Sequence, residues 1–115
     1  MFIIVRRAST FFGTISITDC DNNRIVLSNT DKLIFTVKKH QDNEDESPVI
    51  KKVIIPNRQS EGEYLFELTP EETDLSPGIY YYDVGVQRSN GEFYHIDIPD
   101  QFIIKESISR KEING

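Results

Sequence analysis

The chain contains no tryptophan, one cysteine (Cys20), one methionine and a single alanine (Ala8). Each shortage excludes something. With one cysteine no disulfide can form within the chain. Asp19 and Asp21 flank that thiol, and their charges raise a thiol pKa rather than activating it, so Cys20 reads as a small packing residue. A chain this poor in alanine, the best helix former, is not a helical bundle. Without tryptophan, the side chain best suited to stacking on sugars is missing, leaving tyrosine as its only substitute.

Charge excludes more. Nineteen acidic residues against thirteen basic ones leave a formal charge of −6. Such a domain repels phosphate backbones, so nucleic acid is not an expected partner. No apolar run approaches the length of a membrane span. The run Phe2 to Val5 precedes Arg6 and Arg7, the reverse of a secretory signal, and is too short. The protein is expected to start in a cytoplasm, with no membrane partner.

Catalytic and metal constellations fail one by one. His40 and His95, the only histidines, have no second ligand at metal spacing. Asp19 to Asn23 has the density of a calcium loop, but Arg24 stands where glycine is needed and Thr30 where a bidentate glutamate is needed. Acidic runs such as Glu71-Glu72 and Glu44-Asp45-Glu46 lie in polar loops with no apolar setting to hold one carboxyl neutral. There is no nucleophile elbow, phosphate loop or glycine cluster. No catalytic residue, cofactor or metal is therefore expected, and the protein is not read as an enzyme.

What is present is period-2 alternation. Strands are expected over Phe2 to Arg7, Phe11 to Thr18, Leu33 to Lys39, Val49 to Ile55, Tyr64 to Leu68, Ile79 to Arg88, Phe93 to Ile98 and Gln101 to Ile108. Branched and aromatic side chains dominate the apolar set, as a pleated surface requires. Asn90-Gly91 marks a hairpin, and Gln41 to Pro48 is an acidic, solvated loop. One helical turn is expected over Pro70 to Asp74, with Thr69 as its cap.

Tyr64 to Gln87 carries the most information. A strand ends at Leu68, a short connector closes on Leu75-Ser76-Pro77-Gly78, and a tyrosine-rich strand follows at once. This is the grammar of a Greek-key corner, where the chain crosses between sheets. Tyr80, Tyr82, Val84 and Val86 should point inward, and Ile79, Tyr81, Asp83, Gly85 and Gln87 outward. Either Tyr80 or Tyr82 is placed to return its hydroxyl to upstream backbone as a tyrosine corner, so Pro77, Gly78, Tyr80 and Tyr82 form the structural corner. Tyr81 is left as a candidate contact residue. The expected fold is a single all-β domain, an Ig-like Greek-key sandwich of seven or eight antiparallel strands over residues 1–108, with a polar tail over 109–115.

Three segments together resemble a known family. They are ISITDCDNNRIVLSNTDKLIFTVKK, FELTPEETDLSPGIYYYDVGVQRSNGEFYHI and the closing QFIIKESI. Leu68-Thr69-Pro70, Thr73-Asp74-Leu75, Pro77-Gly78 and Tyr80-Tyr81-Tyr82-Asp83 fall in the order found in the N-terminal Ig-like domain of phage upper baseplate proteins (the BppU-type family). The resemblance implies a non-enzymatic virion protein, an adaptor of the tail baseplate. It would be made in the bacterial host cytoplasm, dock onto other phage structural proteins and be homo-oligomeric within the particle. Candidate contacts are the N-terminal strand residues Phe2, Ile3, Ile4 and Val5, with Tyr81 and Tyr94. The alternatives are a host cell-wall glycan-binding module using Tyr81, Tyr94 and the acidic loop, or a capsid accessory protein of the head-fibre type.

Overall fold

A computed structural model describes residues 3–18, 21–40, 46–56, 63–96, 100–109 and 112. Among these residues the chain is all-β, with eight strands in two sheets and no helix. The strands are β1 (Ile3–Arg6), β2 (Phe11–Ser16), β3 (Lys32–Lys38), β4 (Ile50–Ile54), β5 (Glu63–Leu68), β6 (Gly78–Gln87), β7 (Phe93–His95) and β8 (Asp100–Lys105). The larger sheet runs β1-β8-β6-β3-β4, with β7 also paired to β6, and the smaller sheet is β2-β5. The arrangement is sandwich-like: the chain changes sheet between β1 and β2, between β2 and β3, between β4 and β5, and between β5 and β6.

Alternation decides which side chains fill the space between the sheets. In β3, Leu33, Phe35 and Val37 are buried while Lys32 is exposed. In β5, Tyr64, Phe66 and Leu68 are buried while Leu65 and Glu67 face out. Phe35 lies at the centre, with ring centroids at 4.9 Å from Phe66, 5.4 Å from Tyr82 and 6.1 Å from Phe102. Four strands from both sheets thus meet on one ring. Close approach has a local requirement at Gly13, where a Cβ would overlap the Phe66 ring.

The structure corrects several expectations. The strands are not all antiparallel, because β1 pairs β8 in parallel, with Val5 opposite Ile104. After β1 the chain turns through Ala8 (φ 59°) into the other sheet instead of folding back as a hairpin, so its partner comes from the far end of the sequence. Alternation reports which face a residue takes, but not the direction of its neighbour.

Strand ends also move inward. β2 stops at Ser16, although Thr18 still bridges Arg24. β8 stops at Lys105, leaving Ile108 fully exposed. In the extended strand expected to reach Ile98, β7 covers Phe93 to His95, and residues 97–99 lie outside the described residues.

The expected helical turn after β5 is a capped turn and not a helix. Thr73 N–H donates to Thr69 O at 3.1 Å. Thr69 and Glu72 cap each other reciprocally, at 2.9 and 3.2 Å between each backbone N–H and the other's side-chain oxygen. That pattern is a capping box on a turn too short to propagate. Thr73 is buried and ties the turn to the β1–β2 connection, accepting from Ser9 N–H at 2.9 Å and donating to Ser9 O at 2.7 Å.

Candidate functional site

At the corner, Tyr80 and not Tyr82 carries the corner bond. Its hydroxyl donates to Ser76 O at 2.8 Å, and its ring is buried under the Lys39 ammonium, 4.6 Å from the centroid. Burial pushes the phenol pKa up, so the donating form holds through the working pH range. Gly78, with φ 152°, follows Pro77 and starts β6. Tyr82 is half-buried and packs on Phe35. Tyr80→Phe is expected to cost about 1 kcal/mol, the worth of one hydrogen bond with the ring retained. A urea melt with an unchanged m-value would measure it, and no change would remove the bond from the account.

The N-terminal strand divides by face. Val5 is 4% exposed and lies in the core, so it is a packing residue and not a partner contact. Ile3 is half-buried against the same core, whereas Ile4 is about half exposed. Phe2 lies outside the described residues. β1 is held into the fold beyond its ladder: Arg7 N–H donates to Lys105 O at 2.7 Å, and the Arg7 guanidinium pairs with Asp74 at 2.9 Å. The apolar character of this segment is therefore explained by the sheet it completes.

Tyr81 and Tyr94 do not meet. Tyr81 lies on the outer face of β6, opposite Lys38 on one side and Gln101 on the other. Tyr94 sits opposite Val86 on the inner face, packs on the core, and its hydroxyl accepts from Arg88 Nη1 at 3.2 Å. The two rings are on opposite sides of one sheet and cannot form a common stacking platform.

The ring-bearing residues that do share the outer face with Tyr81 are Phe93 and His95. A Cβ on Gly85 would come within 2.7 Å of Phe93 Cζ, so the ring lies over the glycine, and it meets His95 edge-on at 5.3 Å. His95 Nε2 is 3.6 Å from Asp83 Oδ2. Alternation through Tyr94 already implies that Phe93 and His95 point outward. The missing cue was Gly85, whose bare backbone makes room for the ring.

Between the sheets, beside the strand edge of β2, is an open cleft of about 470 Å³. Phe11, Phe35, Phe66, Tyr82 and Ile96 line it, and Asp83 is the only acidic residue among its described lining. Among the described residues no group of three or more His, Cys, Asp or Glu side chains could hold a metal ion. Cys20 and the acidic positions 41–45 lie outside the described residues.

The outer faces and open edges are the remaining surfaces. Among the described residues, β1 and β4 end the larger sheet, and β2 and β5 each leave one edge unpaired. Exposed apolar side chains lie beside these edges: Ile4 on β1, Val53 on β4, Phe12 on β2 and Leu65 on β5. Unpaired edges with apolar neighbours can add a strand or pack against another sheet. No protein-family model and no curated protein matches the chain. No helix among the described residues is long and apolar enough to cross a membrane.

Proposed function

We propose that this chain is a non-enzymatic structural protein of a bacteriophage particle, an assembly domain of the tail baseplate that docks onto other phage structural proteins. The finer fold assignment belongs to the same proposal: an Ig-like Greek-key sandwich, with β5 and β6 flanking its corner. The Tyr80–Ser76 hydrogen bond supports that assignment, since a tyrosine just after the sheet-to-sheet corner returns its hydroxyl to backbone four residues upstream. The motif string from Leu68 to Ile96, in the order of the upper baseplate family, supports the phage origin. The observation that carries the docking role is the set of strand edges left open among the described residues and bordered by exposed apolar side chains.

Deleting the N-terminal strand would be a poor test, because Val5 and the Arg7 bonds belong to the fold. A better one purifies particles of the phage that encodes the chain, separates tails from heads and digests each for mass spectrometry. Peptides of this chain are expected in the tail fraction. Recovery with heads alone would favour a capsid accessory role, and absence from both, together with measurable binding to cell-wall saccharides by calorimetry, would overturn the reading.

A further inference from the structure

The chain is acidic overall, but one of its faces is not. On the outer face of the larger sheet, Arg6, Lys32, Lys38, Lys51 and Lys105 point away from the core. Asp83 is the one acid among the strand residues on that side. Lys32, Lys38, Lys51 and Lys105 make no ion pair with another described residue. Two apolar rows run between these cations. Ile4, Ile103 and Ile79 are in register across β1, β8 and β6, and Val53, Ile34 and Gly85, covered by Phe93, are in register across β4, β3 and β6.

The smaller sheet presents the complement. Its outer face is built from Phe12, Thr14 and Ser16 of β2 and Glu63, Leu65 and Glu67 of β5. Phe12 and Leu65 are diagonal neighbours, 74% and 76% exposed, and the charges around them are acidic. Of these, Glu63 is already paired with Arg24 at 2.7 Å, which leaves Glu67 as the available carboxylate.

We infer that the basic, apolar outer face of the larger sheet docks on the Phe12–Leu65–Glu67 face of a second copy of this chain. Like faces repel: two copies of the larger sheet would set five cations against five. Unlike faces bring Phe12 and Leu65 onto the isoleucine and valine rows and Glu67 among the lysines. The contact is heterologous, so a pair of copies keeps one face of each kind free and assembly continues into a ring or an open stack. The inference rests on the docking reading above and does not require a phage origin.

Sedimentation velocity tests it, from about 10 µM to about 1 mM. That range brackets an affinity on the order of 100 µM, suited to a contact smaller than the roughly 800 Å² per partner of stable complexes. The average mass is expected to rise with concentration and to fall severalfold in about 0.5 M salt, where screening is complete within a few ångströms. Val53→Asp spoils one face and Leu65→Lys the other, the second by setting a cation against the opposing lysines. Both sites are exposed, and unchanged thermal melts would confirm folding. Each variant alone is expected to remain monomeric, whereas an equimolar mixture forms a 1:1 dimer and stops, because each supplies the face the other lacks.

A wild-type chain that stays monomeric throughout would overturn the inference. So would a Leu65→Lys variant that associates like wild type, which would mean that the larger sheet pairs with itself. Particle incorporation of a chain that does not self-associate would leave the docking role standing while removing this contact.

Discussion

Replacing Asp31 with alanine is expected to lower stability by about 3 kcal/mol, the cost of removing a buried, multiply bonded carboxylate. Asp31 is 2% exposed. One carboxylate oxygen accepts from Ser28 N–H at 2.9 Å, and the other from Ser89 N–H at 2.9 Å, with the Arg88 guanidinium at 3.3 Å. The side chain therefore joins the turn before β3 to the hairpin after β6, 58 residues away in sequence. Alanine would strip two backbone donors of their acceptor and leave Arg88 without its anion. In urea the midpoint should fall by about 1–2 M at constant slope. A loss under 1 kcal/mol would mean that water replaces the carboxylate at little cost.

The same group sets a pH dependence. Burial alone would push the Asp31 carboxyl up, but the Ser28 and Ser89 donors and the Arg88 cation outweigh it and hold the pKa below its ordinary value. A depressed folded pKa means that the stabilisation is fully present above the unfolded value, about 3.9, and is lost as pH falls through the folded one. Glu72 is shifted the same way: burial opposes the shift, and the Thr69 N–H and Lys52 outweigh it. Stability is therefore expected to hold above about pH 5 and decline below pH 4. Asp31→Asn should flatten that decline without abolishing it, since Glu72 remains. An identical acid limb in the variant would remove Asp31 from the explanation.

The second large effect is at Phe35. Phe35→Ala is expected to cost about 3–5 kcal/mol, because a ring touched from both sheets leaves a cavity that neither sheet can close alone. A domain of this size has only about 5–15 kcal/mol in total, so the melting temperature should fall by roughly 15 °C. Phe12→Ala is the control: the residue is the same, but it is 74% exposed, and its melt should shift by no more than about 2 °C. Similar losses at both positions would mean that the aromatic cluster does not hold the sheets together.

Residues differ in how far their place could be read from the sequence. Leu33, Phe35 and Val37 were legible as a buried face because a two-residue period is local and needs no knowledge of neighbours. The corner was legible for the same reason: Pro77 and Gly78 act on their own backbone, and Tyr80 reaches only four residues back. Asp31 was not legible as a buried acceptor, since half of its acceptor duty lies in a hairpin that alternation cannot place beside it. Val5 and Tyr94 were read as contacts, although both are packing residues, because an apolar or aromatic side chain at a strand end looks the same locally whether the other sheet covers it or not.

The sequence by itself determined the all-β class, the strand faces and the corner, each a consequence of local sterics and of a period counted along one strand. Only the tertiary structure decided that β1 runs parallel to β8, that Phe93 rather than Tyr94 shares a surface with Tyr81, and that five of the basic residues gather on one face of an acidic chain. Those facts depend on which strands become neighbours, and that is set by the shared burial of residues far apart in sequence, a quantity no local period contains.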